Sequence, residues 1–150
     1  MEGMAVKHQI TRSAELQSLA GFRELIDQAC DQEPAFDDQT RYDLKLAVDE
    51  ACSNIILHGY AAMDPGSIIV SIEIGQDAAR VTITDFGHPF EPVEIEPPTR
   101  EAGPEAILDD LGLFFIHESA DLIDYQSSPA GNCLYLVKYL PKADHENPFQ

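Results

Sequence analysis

Positive charge is scarce in this chain. Its 150 residues carry nine Lys+Arg against 27 Asp+Glu, a formal net charge of −18 at pH 7. A surface this acidic repels phosphate backbones and anionic headgroups, which argues against nucleic acid or a membrane surface as a partner. The charge itself has two readings, solubility alone or a basic protein partner. Cysteine is sparse too, at three. Cys30, Cys52 and Cys133 sit among apolar residues with no C-x-x-C pair and no metal-ligand spacing, so free thiols in a reducing compartment are expected rather than a disulfide scaffold. No apolar run approaches the roughly 18 residues of a membrane span. Met1 to Ile10 lack the basic start and apolar stretch of a secretory leader, so a soluble, cytoplasmic protein is expected. There is no internal repeat and no dividing linker, and the length suits a single domain over residues 1–150.

Apolar residues make up 44% and charged residues 24%, an ordinary globular balance. Val6 to Thr11 reads as a short opening strand. Ser13 is a candidate N-cap for a helix patterned by Leu16, Leu19, Phe22, Leu25, Ile26 and Ala29. The stretch Gln28 to Phe36, with Pro34, breaks that helix. A second one starts after Asp37 or Asp38 and runs to about His58, before Gly59, Pro65 and Gly66. Ile68, Val70, Ile72 and Ile74 alternate with more polar neighbours, as do Val81, Ile83 and Asp85, so two strands joined by a turn over Gly75 to Ala79 are expected. The proline-rich stretch Gly87 to Asp110 shows no period and reads as a loop. Leu111 to Glu118 reads as a short helix, and Leu122 to Gln126 and Leu134 to Leu140 as two strands joined by Ser127 to Asn132. The tail after Pro141 is polar and expected to fray. Strands that follow one another directly favour antiparallel pairing. The expected architecture is a two-layer α/β sandwich with a mixed, mostly antiparallel sheet and the helices on one face.

The most informative segment is Asp43 to Tyr60, DLKLAVDEACSNIILHGY. At about 100° per residue, Leu44, Val48, Ala51 and Ile55 form one apolar stripe. Glu50 and Asn54, four apart, point the same way beside that stripe, with Ala47 between. Leu46 and Leu57 project close to the same direction. A carboxylate and an amide between apolar neighbours suit a cleft wall. The amide oxygen is a hard ligand for Mg²⁺, and the carboxylate can take a proton from a hydroxyl attacking a phosphoryl group. An amphipathic helix whose polar flank happens to include both residues is the plainer alternative. His58 would extend the pair to a metal comb, but zinc favours two His or Cys, and a helix C-terminal cap suits it better.

In the segment RVTITDFGHPFEP, Asp85 lies on the same strand face as Val81 and Ile83, and a carboxylate there needs a partner. An exocyclic amine of adenine is one donor, with Gly87 admitting the base closely; turn amides are another. The D-F-G of protein kinases is not the match, since no H-R-D and no glycine-rich strand pair precede it. Gly112, in DDLGLFFI, can leave backbone N–H groups free for an anion at a helix start, while Asp109 and Asp110 also suit plain N-caps.

Taken in order, E-x-x-x-N on a helix, D-x-G-x-P-F after a strand, a long loop and L-G-L opening a helix resemble the GHKL superfamily, the ATP-binding fold of gyrase-type ATPases and sensor histidine kinases. Within it, Asp49 to Tyr60, Asp85 to Pro92, Leu111 to Ile116 and the ending GNCLYLVK (Gly131 to Lys138) resemble the anti-sigma-factor serine/threonine kinases, over about Val6 to Leu140. The resemblance implies a Bergerat-type site for ATP and Mg²⁺. Glu50 would be the catalytic base and Asn54 the Mg²⁺ ligand. The nucleotide-contacting set would be Asn54, His58, Asp85, Gly87, Pro89, Phe90, Leu111, Gly112 and Leu113, with a lid over about 92–110. It further implies phosphorylation of a serine on a STAS-type antagonist, sequestration of a sigma factor, and a homodimer. The chain departs from the family in carrying Asp109 and Asp110 where glycines usually precede L-G-L. On that departure rests a second reading, a degenerate member that binds partners without turning over ATP.

Overall fold

The computed structural model of the protein describes residues 6–34, 36–89 and 119–140. Strand β1 (Val6–Ser13) leads through a single 3-10 turn, Leu16–Ser18, into helix α1 (Leu19–Asp31). Helix α2 (Asp38–Asn54) continues into a wider π-helical turn, Ile55–Gly59. Two hairpins follow: β2 (Ser67–Ile74) with β3 (Ala78–Asp85), and β4 (Leu122–Ser128) with β5 (Gly131–Tyr139). The five strands form one sheet in the order β1-β2-β3-β5-β4.

The expected sheet was mixed and mostly antiparallel; among the described residues every neighbouring pair is antiparallel. The hairpins account for two of these pairs. The β1–β2 pair follows from the two intervening helices, which run antiparallel to each other. Arg41 and Lys45 near the start of α2 bond Asp27 and Asp31 near the end of α1, while Arg23 near the start of α1 bonds Asp49 near the end of α2. The chain reverses three times, from β1 to α1, from α1 to α2 and from α2 to β2, and this odd number sets β2 opposite to β1.

Both helices lie on one face of the sheet. On that face the register stacks apolar side chains into ranks, Ile72–Val81–Leu136 and Val70–Ile83–Leu134. Against them pack Phe22, Leu25, Ile26 and Ala29 of α1 and Leu44, Ala47, Val48, Ala51 and Cys52 of α2. Each large side chain so buried contributes about 1.5–3 kcal/mol. One rank nearer the sheet's end the pattern turns polar, as Ile68–Asp85–Asn132 with Ser127 beside Asn132.

Three local expectations are corrected. Ser13 does not cap α1: it is the last residue of β1, its Oγ donates to the Glu15 carboxylate at 2.6 Å, and the Ala14 N–H extends the pairing to Gly66 O at 2.8 Å. Leu16 therefore falls outside α1 and is 54% exposed. Finally, β4 and β5 run to Ser128 and from Gly131, so Ser127 and Asn132 belong to strands rather than to their connection. A two-residue connection, Pro129–Ala130, leaves little room for a loop; Gly131, at φ +138°, takes a conformation that a side chain disfavours. The loop over 92–110, the expected helix from Leu111 to Glu118 and the tail after Pro141 lie outside the described residues. Among the described residues, no helix is long and apolar enough to cross a membrane.

Candidate functional site

The site is built where the end of α2 meets the end of β3. Asp37 starts α2, its carboxylate accepting from the Thr40 N–H at 2.7 Å. The helix buries Leu44, Ala47, Val48 and Ala51, as its apolar stripe requires. It ends in the π-helical turn, closed by the Tyr60 N–H on Ile55 O at 3.0 Å. The chain leaving β3 is stitched to this turn. The His88 N–H donates to Gly59 O at 2.5 Å. Tyr60 Oη accepts from the Phe86 N–H at 2.9 Å and donates to Ser67 O at 2.8 Å. Gly87 is the contact point: a Cβ there would lie 2.6 Å from the Gly59 carbonyl carbon. Its missing side chain thus admits the backbone of Gly59, and the seam fixes Asp85 relative to α2.

Asp85 is 2% exposed. Both of its hydrogen bonds reach one oxygen: the Gly87 N–H donates to Oδ1 at 2.9 Å and Asn132 Nδ2 donates to Oδ1 at 3.0 Å. Among the described residues, Oδ2 accepts none. A turn amide and Asn132 together satisfy one oxygen of the carboxylate, and no described residue donates to the other. Burial pushes the Cys52 thiol on α2 far up, and the Asp49 and Asp85 charges add to it.

Asn54 lies about one turn and Glu50 about two and a half turns before Gly59, and both are half-buried. Burial first, and the neighbouring Asp49 charge second, raise the Glu50 carboxyl above its ordinary value. Asp49 itself is held by Arg23 at 2.6 Å. Asn54 Nδ2 is buried with no hydrogen-bond partner among the described residues, a costly state for a polar group that faces no ligand or water. An amide with an unpartnered donor and an oxygen able to ligate a cation, a desolvated carboxylate, and a second carboxylate with one oxygen unengaged by the described residues could hold a hydrated Mg²⁺ and a purine nucleotide. His58 is exposed on the last turn and Leu57 beside it is exposed as well. Among the described residues, no group of three or more His, Cys, Asp or Glu is placed to hold a metal. Pro89 is exposed beside the seam. Phe90, Leu111, Gly112 and Leu113, with Asp109 and Asp110, lie outside the described residues.

Three residues of this neighbourhood were not singled out from sequence: Tyr60, Ser127 and Asn132. Tyr60 had a readable signal in its place directly after the helix-ending glycine. Asn132, beside Gly131, and Ser127, two residues before Pro129, had none, because polar residues close to glycine or proline read as turn.

Comparison with known proteins bears on this arrangement. The sequence pattern of the histidine kinase-like ATPase domain family matches residues 12–138. The chain is 29% identical over 113 residues to an anti-sigma F factor of Bacillus licheniformis, covering 74% of this chain and 76% of that one. It is 30% identical over 122 residues to a serine-protein kinase RsbW of Bacillus mycoides, covering 75% and 71%. Among solved structures, a Mycobacterium tuberculosis chain holding RsbU and RsbW domains superposes with a TM-score of 0.65 at 18% identity. That match covers 92% of this chain and 34% of the other, so this chain spans about a third of it.

Proposed function

Because this chain belongs to the histidine kinase-like ATPase family, in the branch of anti-sigma factors and RsbW-type kinases, we propose that it is an ATP-dependent protein kinase. It acts as an anti-sigma regulator, transferring phosphate to a serine of a STAS-type antagonist and holding a sigma factor. The observation that carries this reading is the seam that joins the end of α2, with Glu50 and Asn54, to the end of β3, with Asp85.

Each residue has a definite task in this proposal. Asp85 Oδ2 accepts a hydrogen bond from the exocyclic amine of adenine. Asn54 Oδ1 holds Mg²⁺, which supplies neutralisation of charge on the phosphates. Glu50 takes the proton of the target serine as its oxygen bonds the γ-phosphorus and the bond to the bridging oxygen breaks, releasing ADP. A carboxyl raised towards neutral pH is a stronger base than an exposed one, which suits the role. His58, Gly87, Pro89, Phe90, Leu111, Gly112 and Leu113 are assigned to the nucleotide on the family resemblance, with 92–110 as the lid. A single cytoplasmic domain acting as a homodimer, without nucleic acid, completes the proposal.

The test is phosphate transfer from Mg-ATP to candidate STAS-type proteins. Glu50→Gln should lower the transfer rate by about 10²–10⁴-fold, the usual contribution of a general base. Unchanged transfer in that variant removes Glu50 from the role. The pair Asp109–Asp110 favours one other reading, a family member that binds partners without turnover. Calorimetry separates the two: no heat with millimolar Mg-ATP selects the second.

A further inference from the structure

The polar rank at the end of the buried sheet face holds a residue that the proposed site needs and that contacts no ligand itself. Asn132, on β5, stands directly opposite Asp85 on β3, and Ser127, on β4, stands directly opposite Asn132. Asn132 is 2% exposed, and its amide is engaged at both ends. Nδ2 donates to Asp85 Oδ1 and to Gly87 O, both at 3.0 Å. Oδ1 accepts from Ser127 Oγ at 2.7 Å. The opposite orientation of the amide would turn its oxygen towards two acceptors, the Asp85 carboxylate and the Gly87 carbonyl. The network therefore admits one orientation.

We propose that Asn132, oriented by Ser127, is the positioning residue that commits Asp85 Oδ1 to the protein and leaves Oδ2 as the single acceptor facing the nucleotide. The inference rests on the nucleotide reading above and deepens it. With both of its Nδ2 hydrogens used, Asn132 has no donor left for a base, so it acts through Asp85. By holding the Gly87 carbonyl as well, it ties the carboxylate to the seam with α2. A carboxylate fixed with one free oxygen selects a ligand that presents an N–H donor there, an exocyclic amine, over one that presents a carbonyl.

The diagnostic variant is Asn132→Asp, which keeps the shape and replaces the donor with a second carboxylate. Two carboxylates about 3 Å apart do not both stay ionised without strain, so the pair tends to share a proton. When protonated, the introduced carboxyl restores the donor; when ionised, it repels Asp85. Titration calorimetry with MgADP reads the consequence. The wild type should bind with little change between pH 6 and 8. Asn132→Asp should bind about 10–100-fold more weakly at pH 8, the scale of a lost hydrogen bond to a charged group, and recover as the pH falls. The melting temperature of nucleotide-free Asn132→Asp should rise as the pH falls over the same interval, a readout independent of ligand. Ser127→Ala, at a surface position, should weaken MgADP binding about 2–5-fold at every pH, as expected for one neutral hydrogen bond; it decides the matter if Asn132→Asp does not fold. Asp85→Ala is the control. If it abolishes binding while Asn132→Asp or Ser127→Ala binds as the wild type does at pH 8, the positioning role is overturned and the nucleotide reading stands. If Asp85→Ala itself binds as the wild type does, both fall.

Discussion

The role proposed for Glu50 would come at the expense of the fold. Its carboxyl is raised by burial and then by Asp49, so the folded state favours the protonated form more than the unfolded chain does. The stability tied to that proton is fully present below the ordinary carboxyl value and is lost as the pH rises through the folded one. A neutral isostere escapes this loss. Glu50→Gln should therefore raise the melting temperature at pH 7, and the gain should disappear near pH 3.5, where Glu50 is itself protonated. A lower melting temperature at pH 7 contradicts the idea that the ionised carboxylate is strained in place. This environment was legible in the sequence, because Glu50 and Asn54 recur four apart beside a stripe of Leu44, Val48, Ala51 and Ile55. Asn132 was not: its neighbours Gly131 and Cys133 carry no alternation, and its partner Asp85 is 47 residues away.

Between elements, the decisive contact is glycine against glycine. The end of α2 and the chain after β3 approach until a Cβ on Gly87 would overlap the Gly59 carbonyl, with Tyr60 Oη bridging Phe86 and Ser67. A methyl group at position 87 meets backbone, which cannot rotate away. Gly87→Ala should cost about 1–3 kcal/mol, the usual penalty of overpacking, measured as a lower urea midpoint with an unchanged slope. An unchanged midpoint shows that the seam gives way freely. Helix α2 and the β2–β3 hairpin were readable because local rules and packing agree there. Asp37 caps α2, and Ile68 to Ile74 alternate into the core. The start of α1 was misread because Leu16 fits a helical period while pairing keeps β1 extended through Ser13. Hydrogen bonds to β2 outweighed an apolar pattern that had nothing to pack against.

At the scale of the whole molecule, the described antiparallel sheet with two helices on one face leaves its buried polar residues at one end. There the buried ranks change from aliphatic to Asp85 and Asn132, and α2 stops against the same place. Topology of this kind was only partly legible. The succession of strands predicted antiparallel pairing, but nothing local told that β5 would insert between β3 and β4 and carry Asn132 to Asp85. The acidic composition spoke only to partners. The central claim is that segments far apart in sequence form one nucleotide site, and the most direct measurement is the structure of the MgADP complex. The expected result is the adenine amine on Asp85 Oδ2 and the metal ion on Asn54 Oδ1, with Asn132 still bonded to Asp85 Oδ1. Nucleotide bound elsewhere, with Asn54 and Asp85 both untouched, contradicts the account.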